Sequence, residues 1–174
     1  ELDSYECRHG LGYSRFTASK NKIQAELTAF VPLKESCEVN RLILTNHNTT
    51  EETIDLTSYV EFCFWNAVDD STNFQRNLSL GEVEVEESTI YHKTEYRERR
   101  NHFAYYTVNS PVAGFDTSRD DFLGVYGSIE HPETVYAGIS HNSVASGGAV
   151  IGSHHLKLTL KPGESKSLIF VLGY

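Results

Sequence analysis

Residues 64 to 77 read F-W-N-A-V-D-D-S-T-N-F-Q-R-N. The stretch holds the only Trp of the chain, Trp65, then Asp69, Asp70, Asn66, Asn73, Asn77, Gln75 and Arg76 with Phe74 among them. Such polar side chains hydrogen-bond sugar hydroxyls, and aromatic rings cover the apolar faces of a sugar ring. A connecting loop is built from the same residue types, because Asn, Asp and Ser are turn formers. Composition leaves both readings open. The doublets Asp69-Asp70 and Asp120-Asp121 suggest a glycosidase carboxylate pair, whose members stand about 5 to 10 Å apart across a sugar. Adjacency in sequence does not establish that spacing, so turn and cap roles are expected of both.

Y-R-E-R-R-N-H-F (96–103) places three Arg within four positions of an otherwise acidic chain. A fork for a carboxylate or phosphate is one reading, because guanidinium binds both in bidentate fashion. The favoured one is cross-strand pairing with Glu95, Glu98 and the E-V-E-V-E row at 82–86, which stabilises little. The eight His show no H-E-x-x-H or comparable ligand spacing. His154 and His155 are adjacent and in a strand face opposite sides, so they cannot chelate one ion. G-L-G-Y-S-R (10–15) lacks a third glycine and a βαβ setting, which leaves a turn with close backbone approach rather than a phosphate cradle. Ser14 has no G-x-S-x-G context. No catalytic residue, metal or cofactor is expected of this chain.

A length of 174 residues and a net charge of −9 suit one domain with a sizeable core and argue against a nucleic-acid surface. No apolar run is long enough for a membrane span, and the first residues do not resemble a secretory leader. Cys7, Cys37 and Cys63 are odd in number and widely spaced, which points to free thiols in a reducing, cytoplasmic compartment. The sequons at Asn48 and Asn77 read as coincidence in a chain rich in Asn, Ser and Thr. With no Met anywhere, the natural chain is expected to start elsewhere. Its last residues follow an apolar strand directly, as in a domain cut from a longer protein.

The elements that must position these groups read as β almost throughout. Val39 to Thr45 and Thr53 to Trp65 flank N-H-N-T-T-E-E and predict a long hairpin. E-V-E-V-E turns through Glu87 and Ser88 into T-I-Y-H-K-T-E-Y. His155 to Leu160 and Leu168 to Leu172 predict a second hairpin around Pro162-Gly163, and Phe122 to Tyr126 a short strand. Residues 128 to 152 read as long loops with a short strand or two. No segment keeps a 3.6-residue apolar period for three turns, so an all-β, two-layer antiparallel β-sandwich is expected.

R-H-G-L-G-Y-S-R (8–15), A-E-L-T-A-F-V-P-L (25–33), W-N-A-V-D-D-S-T-N-F-Q-R-N (65–77), Y-H-K-T-E-Y-R-E-R-R-N-H-F-A (91–104), F-D-T-S-R-D-D-F-L-G (115–124) and I-G-S-H-H (151–155) occur in that order. Together they resemble the amino-terminal β-sandwich domain of cellobiose phosphorylase, of glycoside hydrolase family 94. The resemblance implies a supersandwich like that of galactose mutarotase, in truncated form, with residues 1–174 as one domain of a larger enzyme. In the family an (α/α)6 barrel does the chemistry, and no barrel sequence is present here. Those enzymes are inverting dimers in which inorganic phosphate attacks the anomeric carbon of cellobiose, giving α-glucose 1-phosphate and glucose. By the match, Gln75 and Arg76 reach the sugar site of the neighbouring subunit, and Asn73 and Asn77 shape their loop. The Arg97–Arg100 cluster is read as a dimer or interdomain contact. A free-standing carbohydrate-binding module and a structural interaction domain are the alternatives.

Overall fold

The computed structural model describes residues 1–62, 81–94 and 102–174. Their contacts divide the chain into two compact units, residues 1–54, 107–110 and 157–173 in one and 55–106, 111–156 and 174 in the other.

In the first unit, β1 (Ser4–Gly10), β2 (Tyr13–Lys20), β3 (Ile23–Phe30) and β4 (Cys37–Asn46) run antiparallel in sequence order. The reversals are tight. Leu11-Gly12 joins β1 to β2, with Gly12 at φ +83°, where an L side chain is strained. Asn21 and Lys22, both at positive φ, join β2 to β3, the conformation that matches the twist of a two-residue hairpin. The fourth strand then pairs with β12 (Ser165–Gly173), from Thr45 opposite Ser165 to Cys37 opposite Gly173. Its alternating Leu42 and Leu44 are buried, as are Leu158, Leu160, Leu168 and Phe170. Period-2 alternation places these side chains on one face and leaves Lys157 and Thr159 outside.

The second unit contains the hairpin of β7 (Gly81–Glu86) and β8 (Thr89–Thr94) in the expected register, Glu86 opposite Thr89. Beside β8 lies β9 (His102–Val108). A separate antiparallel group has the order β10 (Gly114–Ser118), β11 (Val150–Leu160), β5 (Glu52–Thr57), and β6 (Val60–Glu61) also pairs with β11. The two groups face one another through aromatic and imidazole rings. Phe62 lies 5.3 Å from His92, and Tyr106 stacks on His154 at 4.8 Å. A Cβ on Gly152 would come within 3.0 Å of the Tyr106 ring and 3.1 Å of Val60, so glycine lets the layers close at that point.

The all-β antiparallel class is as expected, but three local expectations are overturned. Val39–Thr45 and Thr53–Trp65 do not form a hairpin. β4 pairs with β3 and β12, whereas β5 pairs with β11, and the described part of the second arm breaks at Ser58-Tyr59. Nor is there a hairpin around Pro162-Gly163, since β11 and β12 belong to different strand groups. That turn is closed by Glu164 N–H on the Lys161 carbonyl and bound to β4 by Gly163 N–H on the Asn46 carbonyl. Turn chemistry says that the chain reverses, not whether the next strand pairs beside the last or crosses to the facing layer. Finally, Phe122–Tyr126 is not a strand. Arg119–Leu123 forms the short helix α1. The Ser118 hydroxyl accepts from Asp121 N–H at its start and Gly124 closes its end, and such caps outweigh a short apolar run.

Candidate functional site

Asn73, Gln75, Arg76 and Asn77 lie outside the described residues, as do Trp65, Asp69, Asp70 and the Arg97–Arg100 cluster. The described stems of these segments converge. Phe62, the last residue before 63–80, packs on His92 of β8. The chain resumes at Gly81, which pairs with Thr94, the residue before 95–101. Both segments singled out from the sequence are thus rooted at one end of the β7–β8 hairpin.

Next to Phe62 sits a small polar cluster. Glu61 Oε1 accepts from the Tyr59 hydroxyl at 2.6 Å and from Arg119 Nε at 3.2 Å. The Tyr59 ring packs on Phe122 of α1, 5.0 Å between centroids. Burial, then the bond to Glu61, pushes the Tyr59 hydroxyl up to about 12, so it stays a donor at any physiological pH. The Arg119 guanidinium is held above its usual value by its bond to Tyr59. A carboxylate held by two donors that keep their protons is a fastener. It ties the start of α1 to β6, immediately before the 63–80 segment.

F-D-T-S-R-D-D-F-L-G runs from β10 through α1 to its closing Gly124. Asp116 is fully buried. Its carboxylate accepts from His141 N–H at 3.1 Å, Ser143 N–H at 3.2 Å and the Ser143 hydroxyl at 2.8 Å. Thr117 Oγ1 donates to the Ser143 carbonyl and accepts from Ala145 N–H. The Ser143 oxygen also accepts from Thr117 and Ser118 N–H. These bonds secure residues 141–145, which sequence pattern left as loop. Asp120 and Asp121 occupy the first turn of α1, where acids suit the helix dipole, while the cap itself is Ser118. Because Ser143 Oγ serves three partners, Ser143→Ala should destabilise the fold by about 2 kcal/mol, read as a lowered urea midpoint with an unchanged m-value.

His154 and His155 turn to opposite partners, as adjacency in a strand requires. His154 stacks on Tyr106 beside the Ser58 hydroxyl at 3.4 Å, and His155 Nε2 bonds Asp55 at 2.7 Å. Burial lowers His92 to about 4 and His154 to about 4, the latter opposed by a bond to the Ser88 backbone. Among the described residues no group of three or more His, Cys, Asp or Glu could hold a metal ion. The sequence motifs missed Glu61, Tyr59 and Arg119 as a unit because their partners come together only in the fold. The signal that could have found α1 was Ser118 followed by two acids and a closing Gly124.

Two antiparallel strand groups that face one another place the chain in the class of β-sandwiches. It belongs to the glycosyl hydrolase 94 supersandwich domain family, whose description matches residues 1–174. It is 34% identical over 173 residues to an N,N'-diacetylchitobiose phosphorylase of Vibrio proteolyticus, covering 97% of this chain and 21% of the relative. With a solabiose phosphorylase of Paenibacillus borealis the identity is 30% over 167 residues, covering 94% and 21%. The chain therefore spans about a fifth (21%) of the length of these curated relatives. Among solved structures, a polysaccharide lyase superposes with a TM-score of 0.52 at 14% identity, over 91% of this chain and 21% of that one. This last likeness is one of fold alone.

Proposed function

We propose that this chain is the non-catalytic amino-terminal domain of an inverting, dimeric family 94 phosphorylase that splits cellobiose with inorganic phosphate. The observation that carries the reading is a family match along all of 1–174 in a chain filling 21% of phosphorylase relatives. A module so much shorter than those enzymes is read as a part that supports the chemistry. Phosphate and the catalytic acid act in the remainder of the enzyme. The 63–80 segment, rooted beside Phe62, lends Gln75 and Arg76 to the sugar at the leaving-group side in the neighbouring subunit. Asn73 and Asn77 shape that loop. The exposed Cys7 and half-buried Cys37, both free thiols, suit a reducing cytoplasm.

The test is kinetic, in the full-length enzyme. Loss of a charge-assisted hydrogen bond weakens binding by about 1.5–3 kcal/mol. Arg76→Ala should therefore raise the KM for acceptor glucose in the synthetic direction by about tenfold or more, with the thermal midpoint unchanged. Unaltered acceptor kinetics would defeat the assignment. Calorimetry with cellobiose on residues 1–174 alone should show no binding. Clear binding would instead mark a free-standing carbohydrate module.

A further inference from the structure

A helix on a protein surface turns its apolar side chains toward the core and its polar ones to water. The short helix α2 (Glu133–Ala137) does the reverse. It buries Thr134, whose hydroxyl has no hydrogen-bond partner among the described residues, a placement that opposes folding. It leaves Val135 and Tyr136 outside, the latter 71% exposed.

The chain before and after α2 repeats the pattern. Phe122 and Leu123 of α1 are buried with Ile151, but Val125 and Tyr126, just beyond them, are 89% and 100% exposed. Ile129 and Ile139 are exposed as well. These side chains stand on a built segment. Ser128 and His131 exchange backbone hydrogen bonds at 3.3 and 3.0 Å, and His131 Nδ1 meets the Tyr136 hydroxyl at 2.7 Å. Exposed apolar residues scattered singly are ordinary, whereas a group of them marks an interaction surface.

The charges around the group narrow what it meets. Between Arg119 and Lys157 the chain contains no Lys or Arg, while Glu130 and Glu133 lie within the apolar stretch. No long basic stem is at hand in this segment to cover the apolar surface. A complementary surface is therefore apolar, with Lys or Arg at its rim. The chain fills 21% of its phosphorylase relatives, so most of such an enzyme lies outside residues 1–174 and supplies a surface of the required size.

We propose that residues 125–139 form the face on which the remainder of the same parent chain docks, an apolar contact rimmed by Lys or Arg against Glu130 and Glu133. This rests on the reading of residues 1–174 as one domain of a longer enzyme.

Hydroxyl-radical oxidation of the full-length enzyme reads the two tyrosines directly. Tyr126 and Tyr136 should oxidise at least about tenfold more slowly in the native enzyme than in urea, because reaction requires the docked face to open. Val135→Asp should raise both rates. Glu130→Lys with Glu133→Lys should also raise them, more at low salt than at high, since salt screens the new repulsion. With benzoylphenylalanine in place of Tyr126, irradiation should join that position to a peptide outside residues 1–174 of the same chain. Equal native and unfolded oxidation rates overturn the proposal even if the enzyme is active. A cross-link that returns into 1–174, or that joins two chains, overturns it as well. The Arg76→Ala kinetics judge the phosphorylase reading separately, so protection with unaltered acceptor kinetics leaves the docking face standing and removes the sugar-site assignment alone.

Discussion

Lowering the pH from 7 to 5 should remove roughly 4 kcal/mol of folding stability, through two buried histidines. His154 is 0% exposed and His92 8%, and burial holds each at about 4 against about 6.5 in an unfolded chain. The folded value is the lower one, so the stabilisation is fully present above pH 6.5. Below it the unfolded chain takes up two protons that the folded chain refuses. Each histidine then loses about 1.4 kcal/mol per pH unit until its folded value is reached. For a domain whose total stability is about 5–15 kcal/mol, the loss is large. Urea midpoints at closely spaced pH values should fall with a slope near two protons between pH 6 and 5, above the range where most carboxylates titrate. His154→Phe keeps a ring against Tyr106 and should remove half of that slope, as should His92→Phe. A flat profile across this window would show that the two rings are not held neutral by the fold.

Asn46 should be the most costly single polar residue to replace in the first unit. It is fully buried, and its side-chain amide donates toward the carbonyls of Thr50 at 2.9 Å, Leu160 at 3.0 Å and Lys161 at 3.3 Å. Its side-chain oxygen accepts from Asn48 N–H, and its backbone binds Gly163 and Glu164. One side chain thereby joins the end of β4, the following turn and the β11–β12 turn. Asn46→Ala should destabilise by about 3 kcal/mol, because buried carbonyls lose their donors. Asn46→Asp should cost more, since it sets a carboxylate against those carbonyls without a donor. Denaturant unfolding of the two variants gives the order. If Asn46→Asp were as mild as a surface change, about 0.5 kcal/mol, the residue would not be the joint its geometry describes.

How much was legible in advance varies by element. Period-2 alternation marked β4 and β7, because an antiparallel strand with one buried face must alternate, while β8 and β12 were marked as apolar segments following a turn. E-V-E-V-E followed by Glu87-Ser88 gave a hairpin in the right register, since a two-residue turn leaves no other neighbour. N-H-N-T-T-E-E and K-P-G-E-S-K were legible as reversals but misread as hairpins. The same turn residues serve a strand that returns beside its predecessor and one that crosses to the facing layer. For the candidate site, the residues named from the sequence lie outside the described residues, and the fold shows only their flanks at Phe62, Gly81 and Thr94. Asp116, Ser143 and Arg119 carried no role in the sequence reading, and Glu61 was one residue of an expected strand, until their partners, up to 58 positions away in sequence, came within hydrogen-bond distance.

The chain by itself determined the all-β class, the turn positions and, through six ordered motifs, the family. Each of these depends on side-chain alternation and residue type, which are local. Only the tertiary structure decided which strands are neighbours and which histidines burial holds well below their usual value. Those are decided by burial and by long-range pairing, and neither is written in any single segment.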